Sequence, residues 1–334
     1  MENIYNTPEA ELDIEISSTS LGNANEHGGT VGAVKGLVLE AISKKAYTDI
    51  VVKNALEAKD ITEGVFGKDV HFGVSTLASA IKPEQMKGLI FSIDYPYLVK
   101  FNQDFLKEKY HRVKGQGYSG LALGVALAQE YAYALLQSHS EKDQKGSVID
   151  AVKSMNQDIV KIRTCIETVT LEDEIRKIRE VNSKLKDEGK NVIWVIEPNS
   201  KMGDGKAQDF LNMFEQVKDD QQNRDLHFGI DLDMGGLPKE DRSLLSLVEL
   251  FERYNKEYLP LYLSLSGQEF TEDSVRTHLP LGDNIEFNKK IGQWLKERQF
   301  RGQKLPGIVI ETSPTGDVLG DYKKFLDGLK KGFN

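Results

Sequence analysis

The chain of 334 residues contains one cysteine, Cys165. A lone thiol cannot close an internal disulfide, so the fold is not built for an oxidising compartment and a cytoplasmic location is expected. There is no apolar run of about 18 residues, and the N-terminus MENIYNTPEAELD is acidic with no apolar leader core. Neither a membrane span nor a secretory signal is expected. Basic residues are in deficit: 43 Lys and Arg against 52 Asp and Glu give a formal net charge of −9. That balance offers no general attraction to phosphate backbones or anionic lipid, so neither nucleic acid nor membrane is expected as a partner. Histidines are few, and His71, His111, His139 and His227 show no paired ligand spacing. No Gly-x-Gly-x-x-Gly follows the first strand, and there is no phosphate-binding P-loop or Ser nucleophile elbow. Dinucleotide, P-loop and serine-hydrolase chemistries lose their usual signatures with them.

What the chain does have is a recurring alternation of short apolar runs with helical periods. Apolar alternation at Leu12, Ile14 and Ile16 predicts a strand from Leu12 to Ser18, followed by the loop LGNANEHGG and a helix from Val31 to Ser43. Tyr47 to Phe66 has both strand and helix features, and helix is favoured. Strands follow at Val70 to Thr76 and Leu89 to Ile93, then an amphipathic stretch from Tyr97 to Lys114. Ser119 is placed to cap the apolar helix LALGVALAQEYAYALLQ, whose small residues suggest close packing on a sheet. The segment HSEKDQKGS then reads as a polar linker.

The second half is more regular. Asp158 to Ile166 is a strand, and Thr170 with Asp173 resembles a capping box opening a helix that stops at Gly189. Strands follow at Val192 to Glu197, Leu226 to Asp233, Pro260 to Ser266 and Gly307 to Thr312, with helices at Ala207 to Val217, Arg242 to Tyr258, Ile285 to Arg298 and Val318 to Leu329. Strands joined by crossover helices require a parallel sheet, and eight of them in this length predict an α/β fold of the (β/α)8 TIM-barrel type. A doubly wound open sheet is the structural alternative. The expected organisation is a single barrel domain over 1–334, with an irregular N-terminal segment over about 1–68.

In a parallel barrel, residues at the C-terminal strand ends converge on one mouth. Those ends carry Ser75, Asp94, Glu167, Glu197, Asp233, Ser264 or Ser266, and Glu311. Packing like charges at one mouth costs energy unless a proton or cation lies between them. Hard oxygen ligands of this kind suit Mg2+ or Mn2+ better than zinc. The bland reading is that such acids meet water or lead the next helix.

The motifs IEPN, DMGG and VIET, with THLPLGDN before the last strand, carry a resemblance over roughly the second half of the chain. The chain resembles the xylose-isomerase-like barrel superfamily of sugar isomerases, epimerases and endonuclease IV-type enzymes. The resemblance implies a divalent metal, Mn2+ or Mg2+, held by Glu197, Asp233 and Glu311, with Ser264 standing where a third strand would offer a metal-binding histidine. It also implies His278, Glu167 and Asn199 as substrate contacts, and proton transfer by Glu197 and Glu311 next to the carbonyl of a sugar-like small molecule. Gly236 and Ser264 occupy positions where the superfamily has histidines, so a catalytically silent barrel acting as a binding or assembly partner is the alternative. The endonuclease reading needs a histidine-rich zinc cluster for which the strand ends have too few histidines. A homo-oligomer is compatible with the sequence, although no helix face gives a clear self-association stripe.

Overall fold

The computed structural model describes residues 12–17, 20–21, 44–68, 70–77, 89–95, 107, 110–111, 113–114, 119–137, 141–155, 157, 159–165, 171–197, 212, 215–216, 226–233, 248–249, 252, 261–270, 275–312 and 317–334. Eight parallel strands close a barrel: β1 (Asp13–Ser17), β2 (His71–Leu77), β3 (Ile90–Tyr95), β4 (Ile159–Cys165), β5 (Asn191–Glu197), β6 (His227–Asp233), β7 (Leu261–Leu265) and β10 (Gly307–Ile310). Their cyclic order is β1, β10, β7, β6, β5, β4, β3, β2, so every barrel strand pairs with its neighbours in the chain and β10 returns to β1. All eight lie where the apolar runs predict them. The fold is a (β/α)8 barrel, as the strand count required.

On β1, Ile14 and Ile16 are buried outward, and β10 answers with Ile308 and Ile310 in register. Trp194 on β5 is fully buried under α4 (Leu171–Asp187), where its indole N–H donates to Asn182 Oδ1 at 3.0 Å. Ile175, Ile178, Val181 and Leu185 form the buried stripe of that helix at intervals of three and four residues. Gly189 ends it with φ of 74°, donating to Lys186 O while Lys190 donates to Leu185 O, the left-handed C′ arrangement that glycine tolerates. Closure is tied at the β10 end by Ser20, whose hydroxyl accepts from the Thr312 N–H at 2.8 Å and donates to the Thr312 carbonyl at 3.0 Å.

The ambiguous stretch near residue 50 is α1 (Lys44–Phe66), as favoured. Within the first 68 residues the structure thus describes a barrel strand and a long helix. Two elements depart from expectation. HSEKDQKGS is not a linker: α3 spans Glu141–Ser154 and buries Val148, Ile149, Ala151 and Val152. Its polar first turns hid an apolar stripe that begins only in its second half. A short antiparallel hairpin, β8 (Gly267–Phe270) and β9 (Val275–Leu279), directly follows β7 and was not anticipated. The apolar helix is α2 (Gly120–Gln137); Ala126 is buried, but Leu121 at its start is 87% exposed. The predicted helix over 31–43 and the Thr170 cap lie outside the described residues, and only 212, 215–216, 248–249 and 252 of two further predicted helices fall within them.

The C-terminal pair α5 (Ile285–Phe300) and α6 (Val318–Phe333) packs tightly against each other, and α6 also lies on α1. Glycine makes this approach feasible. A Cβ on Gly332 would strike the Lys289 carbonyl, one on Gly292 the Leu329 carbonyl, and one on Gly328 would come within 2.9 Å of Asn288 Cβ. Gly332→Ala is therefore expected to cost about 1–3 kcal/mol by overpacking. Gly64→Ala on α1, where a Cβ meets nothing, is expected to stabilise by about 0.5–1 kcal/mol. Urea titrations of the two variants check this, and equal effects on both would contradict the packing.

Candidate functional site

Parallel register decides which side chains share the lumen. On β1, β4 and β6 the residues alternating with the outward apolar ones are Asp13 and Glu15, Lys161 and Arg163, and Asp231 and Asp233. Two acids, two bases and two acids thus stand on strands two or three places apart around the closed barrel, so their side chains meet across its interior. Lys161 pairs with Asp13 Oδ2 at 3.1 Å and with Glu15 Oε1. Arg163 is the hub: its Nη2 contacts Glu15 Oε2 at 3.0 Å and its Nε contacts Asp231 Oδ2 at 3.0 Å. Ser92 on β3 donates to Glu15 Oε2 at 2.8 Å. Strands that lie between these carry apolar side chains: Ile193, Val195, Tyr262 and Val309 cluster together, with Lys161 Nζ 5.2 Å from the Tyr262 ring centroid.

One layer toward the C-terminal rim lies the predicted carboxylate set. Glu197 ends β5 opposite Cys165 of β4, Asp233 ends β6 opposite Ser264 of β7, and Glu311 follows β10, its N–H donating to Leu265 O at 3.1 Å. Glu197, Asp233 and Glu311 are close enough to act on one another: burial first, then Asp233, Glu311 and Asp231, hold the Glu197 carboxyl well above the usual range, with Arg163 pulling the other way. Asp231 is also raised, by burial, while Arg163 and the Ser264 hydrogen bonds oppose the shift. The acids are thus gathered as the strand ends suggested.

Their fit to a metal ion is a separate matter. Ser264, expected among the ligands, is committed elsewhere: its hydroxyl donates to Asp231 Oδ2 at 2.8 Å and its N–H to Asp231 Oδ1 at 3.1 Å. Among the described residues no group of three or more His, Cys, Asp or Glu side chains is arranged to hold a metal. The side chains as placed do not fit the implied cation. Below this layer Lys161 pairs with Asp13 and Glu15, and Arg163 with Glu15 and Asp231. Glu167, Asn199 and Gly236 lie outside the described residues, and His278 is on β9, beside Leu279, which pairs with Gly267 at the start of β8.

Sequence reasoning missed Glu15, Lys161, Arg163 and Asp231 because it looked only at strand ends. The signal was present: LDIEIS, VKIRTC and GIDLD alternate charge with apolar residues inside strands. In a barrel whose helices cover the outer face, charges at alternate positions can only point inward.

No protein-family description matches the chain, and no curated protein is significantly similar to it. Among solved structures, a xylose isomerase-like TIM barrel protein from Mycobacterium smegmatis in complex with magnesium is 12% identical, covers 97% of this chain and 98% of its own, and has a TM-score of 0.48. The GH18 chitinase ChiB from the chitin utilization locus of Flavobacterium johnsoniae is 11% identical over 97% of this chain and 94% of its own, with a TM-score of 0.45. The first carries the family name that the strand-end motifs resemble. Likenesses at this level add nothing to the strand order, which by itself makes the chain a TIM barrel. No helix among the described residues is long and apolar enough to cross a membrane.

Two expectations follow from the ionic lumen. Replacing Arg163 by Met leaves Glu15 and Asp231 buried without their shared partner and is expected to cost about 3–5 kcal/mol; a loss under about 1 kcal/mol in denaturant unfolding would contradict the hub. Glu197, whose carboxyl is raised in the folded state, binds its proton more tightly folded than unfolded. Its contribution to stability is complete at acid pH and is lost as pH rises from the ordinary carboxylate range through the raised folded value. Glu197→Gln should remove that loss, so the stability of wild type relative to the variant falls with rising pH across this window. A pH-independent difference would contradict the raised carboxyl.

Proposed function

We propose that the C-terminal mouth of this barrel is an acid–base site that moves a proton next to the carbonyl of a sugar-like small molecule, the chemistry of an isomerase or epimerase. The observation that supports this reading is the gathering of Glu197, Asp233 and Glu311 at one rim, where burial and then the charges of Asp233 and Glu311 raise the proton affinity of the Glu197 carboxyl. A carboxyl group that holds its proton more tightly than an ordinary one is suited to donate it. Glu197 donates its proton toward the substrate carbonyl oxygen as Glu311 or Asp233 takes one from the adjacent carbon, and the reverse transfer at the neighbouring position completes the isomerisation. Arg163, below them, is engaged by Glu15 and Asp231 and holds the base of the site. The step is assigned to the carboxyl groups themselves.

A second reading, a barrel that binds a partner without turnover, draws on the engagement of Ser264 by Asp231, where the resembled superfamily has a metal-binding histidine. The two readings separate on solvent-proton exchange. Incubating the protein in D2O with a panel of aldoses and ketoses is expected to label the carbon next to the carbonyl of at least one of them, in chelator-treated protein as in untreated. Glu197→Gln and Glu311→Gln should each lower the rate by about 10²–10⁴. No label with any sugar favours the silent barrel; label that vanishes with chelator and returns with Mn2+ contradicts the metal-independent step.

A further inference from the structure

Ser266 is the first residue after β7 and is 2% exposed. It stands two residues beyond Ser264, whose side chain reaches Asp231 inside the barrel, so strand alternation directs Ser266 to the same lumen one layer nearer the rim. Ile310 pairs with Leu265, and the Glu311 N–H continues that ladder onto the Leu265 carbonyl. Ser266 is therefore level with Glu311, at the carboxylate layer. Among the described residues its Oγ has no hydrogen-bond partner, unlike Ser264 below it. Burying a hydroxyl without a partner is unfavourable, a cost that alanine at this position would avoid. The chain just beyond it is closely packed: a Cβ on the next residue, Gly267, would lie 2.8 Å from the Leu279 carbonyl, across the β8–β9 pair.

We infer that Ser266 is a ligand-contacting residue, and that its ligand is an unphosphorylated polyol or sugar seated between its hydroxyl and the carboxylates of Glu311 and Asp233. The ligand class follows from charge. The lumen bases among the described residues are already engaged, Lys161 by Asp13 and Glu15 and Arg163 by Glu15 and Asp231. A phosphate brought to this layer meets acids at contact distance and reaches those bases only by breaking their pairs. Neutral hydroxyl groups suit it better, since each donates to a carboxylate and accepts from Ser266. This inference rests on the acid–base reading for the location of the ligand, and it adds the contact and the exclusion of phosphate.

The test combines stability with binding. Probes are xylitol, ribitol and sorbitol against sorbitol 6-phosphate, measured by calorimetry and ligand-observed NMR on the full chain. At least one neutral polyol is expected to bind wild type more tightly than the phosphate does. Ser266→Ala is expected to keep or raise the melting temperature, because an unpartnered hydroxyl is removed, and to weaken that polyol roughly three- to tenfold. Ser266→Cys, nearly the same size with a poorer donor, should weaken it similarly and covers the case in which the alanine variant misfolds. A fall in melting temperature with both variants would mean that the hydroxyl serves the fold, which overturns the inference. So would unchanged polyol affinity, no polyol binding to wild type, or phosphate binding as tight as the neutral probe. Polyol binding with the Ser266 effect intact, but no proton exchange with any sugar, would instead sink the acid–base reading alone.

Discussion

The buried guanidinium of Arg163, shared between Glu15 on one wall and Asp231 on another, is the interaction on which this barrel depends. A parallel barrel ordinarily fills its interior with branched apolar side chains. Among the described residues this one does so beside β5, β7 and β10, where Ile193, Val195, Tyr262 and Val309 meet. The remaining space holds ions, and ions in a low-dielectric interior are tolerated only when geometry and hydrogen bonds complete one another. Ser92 on Glu15 and Ser264 on Asp231 supply that completion. The network fixes β1, β3, β4, β6 and β7 relative to one another, and it sets the potential in which the carboxyl groups above it titrate.

The functional layer inherits its character from this base. Arg163 is near enough to Glu197 to lower its proton affinity, yet burial together with Asp233, Glu311 and Asp231 outweighs it. The crowding of acids at the mouth thus raises the proton affinity of Glu197. Such a site favours acid–base work on neutral groups, and it bears on both readings advanced above, the transfer of a proton and the preference for an unphosphorylated ligand. The Ser264 hydroxyl, held by Asp231, belongs to the base of the network, and Ser266 belongs to the mouth.

Much of the fold was legible in the chain. The eight barrel strands lie where short apolar runs meet turn residues, and Glu197, Asp233 and Glu311 close three of them as read. Strand ends are easy to read because a turn follows them. The interior of the barrel was harder, since Glu15, Lys161, Arg163 and Asp231 look in sequence like the solvent face of an edge strand; only closure turns that face inward. The helix over Glu141–Ser154 was hidden by its charged first turns, and the β8–β9 hairpin by its strands of four and five residues. The commitment of Ser264 to Asp231 depends on cross-strand register, which side-chain pattern alone does not carry.

Burial and the neighbouring Asp233 and Glu311 make Glu197 hold its proton more tightly than an ordinary carboxyl, with Arg163 opposing them. Isotope-edited infrared spectroscopy of protein labelled at glutamate carboxyl carbons, with Glu197→Gln as the difference partner, in chelator-treated samples across a pH titration, tests this most directly. The account predicts a carboxyl band, absent from the variant, that converts to the carboxylate form at higher pH than the bands of the other glutamates. A Glu197 signal that converts together with those of exposed glutamates would contradict it.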